Sequence, residues 1–491
     1  MESWTNNAKN AEPAASFDSG KSAPATLSGH LGVLDIVFTV LAYNAPLTVV
    51  VAFLPLILSE GNGLGAPVTY LIAGALMLVF AVGFTTMSKH VPNAGAYYAY
   101  ISAGLGRPFG LGSALMAILA YGFLMVGMYL YAGVVYVSLL EHTLGHSPLR
   151  WWQWSLVLCA VVSLLGYLRV SLSAKLLTLA LIFEVCLVFA WEGGIAIQNG
   201  VSNLAPVWLT PSAVTSGSLG IAILFGVTSF AGFEATAVFR EEVRDPEKTV
   251  PRATYVSVIV MAFMFSTAAY FLIAGFGPEV VMAQAKSDAS AVALNSIGIY
   301  LGRAGLQGVN VLLCSSVFAC VLSLHNILSR YIYSLSIDGT LPKSWAAVHP
   351  RHGSPYKASV IVSMVMFVVL AFVINQSIEP YAGYGVLTGV GGYALLLLQI
   401  LTSLSVVAFF ARKTDAAGLW KTRIAPTVSF FALLGTGWLA TSNMEMLTGN
   451  ARVATILLAF VFGTLLSGVV YAMVLRKLKP NTYSLIGRQK I

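Results

Sequence analysis

Two short segments interrupt long apolar runs of this chain, and both carry groups able to hold a polar solute. The first is Ala42-Tyr43-Asn44-Ala45-Pro46 and the second is Phe230-Ala231-Gly232-Phe233-Glu234. Pro46 has no N–H and crowds the carbonyl four residues back, while Gly232 tolerates dihedrals that other residues avoid. Each break therefore frees backbone N–H and C=O groups to act as directed donors and acceptors. Four acids also lie inside apolar runs: Asp35, Glu184, Glu192 and Glu234. A carboxylate in such surroundings takes up a proton, pairs with a cation or caps a helix end. Binding and proton transfer are the chemistry these residues offer. No Ser-His-Asp arrangement, phosphate loop or metal-ligand cluster accompanies them, so no enzymatic activity, catalytic residue or metal site is expected.

The elements that position these groups are apolar helices. The chain has 491 residues, 57% of them hydrophobic and 9% charged, with a mean hydropathy of +0.82. Soluble domains carry about a quarter charged residues, so this composition is that of an all-α integral membrane protein. The alternation of a membrane β-barrel is missing. Twelve spans are expected, near 32–58, 67–88, 108–140, 151–168, 175–198, 213–239, 252–277, 303–336, 356–375, 382–411, 424–442 and 453–475. Pro92 to Tyr100 reads as an interfacial turn leading into a short helix. Residues 1–29 lack an apolar signal-peptide core and read as a disordered cytosolic tail, and 479–491 as a cytosolic C-terminal tail. The four cysteines (Cys159, Cys186, Cys314, Cys320) read as small core hydrophobes.

The net charge of +8 is unevenly placed. With the N-terminus in the cytosol, 23 of the 27 basic residues fall on the cytosolic side, leaving Arg150, Lys286, Arg303 and Arg452 outside. That bias puts both termini in the cytosol of a cell-membrane protein and explains the basicity without a nucleic-acid partner. The breaks are five spans apart, and an odd offset inverts the second set of five helices against the first. Residues 32–198 and 213–411 thus form an inverted repeat, with the helices at 424–475 appended to a transporter domain covering 30–478. Gly32 to Asn44 is about 18 Å of helix and Phe230 to Arg240 about 15 Å, so both breaks fall near mid-membrane. Matched breaks in inverted halves point to a central transport site.

Longer motifs carry a family resemblance. Gly232-Phe233-Glu234 is followed by Glu241-Glu242-Val243-Arg244-Asp245-Pro246 and Thr249-Val250-Pro251-Arg252-Ala253. Pro92, Gly95 and Tyr98 precede Gly104, Gly106 and Gly110, and Ser329-Arg330 leads to Asp338-Gly339, Leu341-Pro342, His349-Pro350 and Ser354-Pro355. In order and spacing these blocks resemble the amino acid–polyamine–organocation (APC) permeases over about residues 30 to 480. The resemblance implies a LeuT-type bundle of twelve helices. It also implies secondary uptake of an amino acid or amine, most often with protons. No bound cofactor is implied, because an ion gradient drives accumulation; the partners are a small solute and the lipid bilayer.

Three positions depart from the family pattern. Many members carry a Gly-Ser-Gly-like break in helix one whose N–H groups hold a substrate carboxylate. Here the run is Tyr43-Asn44-Ala45-Pro46-Leu47-Thr48, and such a proline-bearing break also resembles putrescine-type importers. Ile337 replaces a frequent arginine. Glu184 stands where some proton-coupled members have a lysine, which reverses the charge.

The expected substrate site comprises Tyr43, Asn44, Ala45, Pro46, Phe230, Ala231, Gly232 and Phe233 at the breaks, Tyr121 from span three and Ser315 from span eight. Glu184 reads either as the proton-coupling carboxylate or as a structural glutamate bonded against helix one or eight. Glu234 reads as a proton, substrate or gating group, or as a cap on the restarting half-helix. Snorkelling accounts for Asp35 and Glu192 near the ends of their spans, and His325 reads as a hydrogen-bonded core residue or a proton relay. The expected function is import of an amino acid, small amine or polyamine by alternating access; an exchanger is the alternative, ahead of a nutrient receptor or a channel.

Overall fold

The computed structural model describes residues 32–91, 97–168, 174–199, 210–234, 236, 243–349, 354–413 and 418–487, with the side chains of 42, 43 and 174–177 excepted. The N-terminal 1–29 segment, the Pro92–Ala96 turn, the Glu241-Glu242 pair and Tyr43's side chain lie outside this description.

The first expected span is two helices. α1 (Val33–Asn44) ends at Ala45, whose φ of 53° and ψ of 68° are left-handed. α2 (Pro46–Ser59) restarts on Pro46 and is bent by about 40° from α1. Proline suits a first helical position because its missing N–H would be unpaired there anyway. Within α2, residues Val49–Phe53 open to π-helical spacing two residues before Pro55, and Trp420–Ile424 do the same before Pro426. In each case a proline that cannot donate follows a loosened turn.

Then come α3 (Ala66–His90), α4 (Tyr97–Leu105), α5 (Arg107–Leu144), α6 (Trp151–Leu168), α7 (Ala174–Asn199) and α8 (Leu219–Thr228). They are followed by α9 (Pro246–Phe276), α10 (Ala289–Ile337), α11 (Tyr356–Asn375), α12 (Pro380–Ala411), α13 (Ala425–Ser442), α14 (Ala451–Leu478) and α15 (Pro480–Leu485). Ten of the described helices are long and apolar enough to cross a membrane, and the bent α1–α2 pair makes an eleventh. Of the span expected at 213–239, the described residues include the ten-residue helix α8 and the turn that follows, while 235 and 237–239 lie outside the description. The run α10 is two helices broken at Gly302, whose φ of 66° and ψ of −166° are not helical, and the second begins at 303, where span eight is expected.

Large apolar side chains such as Phe183, Phe263, Phe367, Phe372 and Trp438 stand exposed around the bundle, as a hydrocarbon surrounding demands. Inside, α5 packs against α10, α12 and α14, and α9 against α3. Close approach depends on small residues: a Cβ on Gly104 would lie 2.2 Å from the Ser405 carbonyl oxygen, and one on Gly468 2.6 Å from Gly112 Cα.

The C-terminal segment is folded onto the bundle. Gly487 N–H donates to Tyr98 Oη at 2.7 Å, Tyr98 O–H donates to Asp338 at 2.5 Å, and Arg107 lies 5.3 Å over the Tyr483 ring.

Gly104→Ala is expected to cost about 1–3 kcal/mol by overpacking. Gly463→Ala, with nothing within 4 Å of the new methyl, should leave stability unchanged or slightly raised. Thermal denaturation of the two purified variants in detergent checks the contrast.

Candidate functional site

The α1–α2 break lies against the turn that ends α8. After Thr228 the chain leaves the helix, and Gly232 takes φ 107°, in the region open to glycine. Asn44, the last residue of α1, joins the two breaks. Its Nδ2 donates to the Ser229 carbonyl at 2.5 Å and to the Ala231 carbonyl at 3.0 Å. Only the amide NH₂ can meet two carbonyls, which fixes the side chain's orientation. Asn44 Oδ1 points the other way, buried and without a hydrogen-bond partner.

A cavity of about 70 Å³ lies between the breaks, α5, α10 and α12. Asn44, Phe53, Tyr121, Ala231, Gly232 and Glu234 line it, together with Leu124, Met128, Thr228, Cys320 and Thr388. It is small beside the ~300–1,000 Å³ of most ligand pockets, so its occupant is small unless the walls part. Glu234 is 6% exposed. One of its carboxylate oxygens accepts from Tyr121 O–H at 2.7 Å, the other from Gly232 N–H at 2.9 Å. It thus caps the broken segment and fastens that segment to α5.

Glu184 sits behind the first break, 4% exposed. Its Oε2 accepts from the Leu47 N–H at 3.3 Å and from Ser316 Oγ at 3.2 Å. Thr48 Oγ1 extends the chain by donating to Ser316 at 3.2 Å. The carboxyl therefore faces both helix one and helix eight, the two neighbours considered for it.

Above the cavity is an aromatic layer. Phe53 packs edge-on to Tyr384 at 5.6 Å, and Tyr384 stacks on Tyr131 at 4.9 Å. Tyr381 O–H donates to the Ala52 carbonyl at 2.9 Å. Beyond Tyr131 opens a vestibule of about 800 Å³, with Glu141, His142, Asp288 and Asn310 on its walls.

The structure sorts the expected site residues. Asn44, Tyr121, Ala231, Gly232 and Glu234 meet at the cavity. Ala45 and Pro46 form the break but turn into the protein, buried. Phe230 and Phe233 do not line the cavity: Phe230 packs edge-on to Phe265 at 6.0 Å, and Phe233 to Phe80 at 5.9 Å. The two lie one turn apart, with the Phe233 N–H donating to the Phe230 carbonyl at 3.3 Å, and share the side that faces the core. Ser315 is exposed and bonds back to the Leu312 carbonyl. One helical step of about 100° makes Ser316 the inward hydroxyl.

Glu192 is not at the water but 5% exposed, accepting from Thr267 at 2.9 Å. Asp35 caps α1 through Gly32 N–H at 2.8 Å. His325 is buried, with Nε2 2.9 Å from Ser359 Oγ. Phe53, Thr228 and Thr388 were missed. Phe53 and Thr228 are near the breaks in sequence, but only the fold brings Thr388 there.

The family model described as amino acid permease matches residues 36–473. The chain is 25% identical over 352 residues to the low-affinity putrescine importer PlaP of Escherichia coli (strain K12), covering 70% of this chain and 74% of that protein. It is 22% identical over 403 residues to the branched-chain amino acid permease BcaP of Bacillus subtilis (strain 168), covering 77% and 82%. A shorter match, 30% identical over 191 residues, is to the human Asc-type amino acid transporter 1, covering 38% and 34%.

Asn44→Leu removes the donors that satisfy the Ser229 and Ala231 carbonyls, which should cost about 1–3 kcal/mol for each group left unpaired. An unchanged melting temperature in that variant would show that the bridge does not join the breaks.

Proposed function

The chain belongs to the amino acid permease family, and from that premise we propose that it is a secondary active transporter importing an amino acid, small amine or polyamine. The family makes it a multi-pass membrane transporter rather than an enzyme. Our reading adds proton coupling, alternating access around the two breaks, and location in the cytoplasmic membrane with both termini in the cytosol. It also adds twelve spans in a five-plus-five inverted repeat, 32–198 against 213–411, with the helices at 424–475 peripheral.

The observation that carries this reading is the Asn44 amide bridging the two breaks beside a buried cavity. A non-helical backbone at that depth needs protein or a watery cavity around it, and such discontinuous helices are where carriers bind. In this reading the cavity between Asn44 and Glu234 receives the solute. The Phe53–Tyr384–Tyr131 layer closes the outer path, with the vestibule beyond it facing outward. Ala45, Pro46, Phe230 and Phe233 hold the break geometry or its packing.

Glu184 is assigned the coupled proton. It touches the second half of helix one and helix eight together. A carboxyl with both contacts exchanges them when the two groups of helices rock apart, and that exchange opens it to water on alternate sides. Glu234 instead couples the solute to α5 through Tyr121.

In proteoliposomes, an inward proton step should drive solute accumulation without any solute preloaded inside; a strict need for internal solute would make the protein an exchanger. Glu184→Gln should flatten the dependence of uptake on external pH while the protein still folds. A pH profile identical to the parent's would remove Glu184 from the coupling. Gly232→Val places a β-branched residue at φ 107°, at a strain of about 1–3 kcal/mol. It should weaken solute binding roughly 10-fold or more, measured by ligand-induced thermal stabilisation.

A further inference from the structure

The cavity between the breaks has acceptors to spare, and its donors at the breaks are already engaged. The Gly232 N–H is taken by Glu234 itself. The N–H groups of Ser229, Ala231 and Phe233 bond to carbonyls of their own segment. The hydroxyls of Thr228, Ser229 and Thr388 donate to their own helices, Tyr121 O–H donates to Glu234, and both amide hydrogens of Asn44 are committed. What remains open is accepting capacity. Asn44 Oδ1 is buried and unpartnered, and the Glu234 carboxyl, which can accept about four bonds, accepts from Tyr121, from the Gly232 N–H and from its own N–H. Among the described residues Glu234 has no ion-pair partner.

The other place where an anion would go is also filled. The second half of helix one begins at Pro46, which has no N–H, and the next one, on Leu47, bonds to Glu184 Oε2 at 3.3 Å. A neutral carboxyl keeps an accepting oxygen, so Glu184 can occupy this position in either protonation state.

We propose that Glu184 is a built-in carboxylate holding the anion position of broken helix one, and that the substrate is therefore a carboxylate-free amine, its ammonium received by Asn44 Oδ1 and Glu234. This rests on the cavity being the transport site. An ammonium brings donors and no acceptor, which is the complement of what the walls offer. To meet an α-carboxylate, any of the donors named above would have to leave its present acceptor, and a buried unpaired charge is costly.

The experiment compares ligand pairs that differ only by the α-carboxylate: putrescine with ornithine, cadaverine with lysine, and agmatine with arginine. Each is measured on the purified full-length protein by thermal stabilisation and by uptake into proteoliposomes. The amine of a pair should be preferred by roughly 10-fold or more. In Glu184→Ala, which frees the Leu47 N–H, that ratio should fall toward one. A general loss of folding would lower both ligands and leave the ratio alone. Uptake of the amino acids equal to or better than the amines would overturn the inference while leaving transport intact. Uptake of neither under an imposed proton step would overturn the transport reading and this inference with it. A ratio unmoved in a Glu184→Ala protein that melts like the parent would overturn the part given to Glu184.

Discussion

Where a helix stops in the middle of an apolar bundle, its freed N–H and C=O groups have no water to turn to, so the protein must supply every partner. Much of the centre of this molecule follows from that requirement. Asn44 satisfies the carbonyls of the second break with the amide at the end of the first. Glu234 satisfies the Gly232 N–H, and Glu184 the Leu47 N–H. Three polar side chains thus replace three stretches of helical hydrogen bonding. Each also leaves part of itself available, to the cavity or to a neighbouring helix.

The same arrangement ties the breaks to the helices around them. Glu234 reaches α5 through Tyr121, and Glu184 reaches α10 through Ser316. A shift of either broken segment must therefore rearrange a buried hydrogen bond to another helix. Packed interiors respond to such a change by switching between discrete arrangements rather than by yielding continuously. Around this polar centre the packing is tight where glycines let backbones meet, as at Gly104 with Ser405, and aromatic toward the vestibule, where Tyr131, Tyr384 and Phe53 form a layer.

Much of the architecture was legible in the sequence because lipid imposes a simple pattern: long apolar runs, interrupted only where something special happens. Pro46 and Gly232 each marked a break because one lacks an N–H and the other lacks a Cβ. The family resemblance rested on similar markers and agrees with the match over residues 36–473. Side-chain direction was less legible. Phe230 and Phe233 looked like pocket walls from their place in the break, yet the turn sends both into the core. Ser315 and Ser316 are indistinguishable as neighbours in sequence, but one helical step separates an exposed hydroxyl from one bonded to Glu184. Glu192 sits near a span end and is nonetheless buried against Thr267.

By itself the sequence determined that the chain is helical, apolar and interrupted twice, since those properties depend on local chemistry alone: hydropathy, a missing N–H, a missing Cβ. Which polar groups pair was decided only in three dimensions, because Glu184 and Leu47 lie 137 residues apart and Tyr121 and Glu234 lie 113 apart. Hydrogen bonds act over about 3 Å and are blind to distance along the chain. The balance of donors and acceptors around the cavity is therefore a property of the packed bundle, not of either break alone.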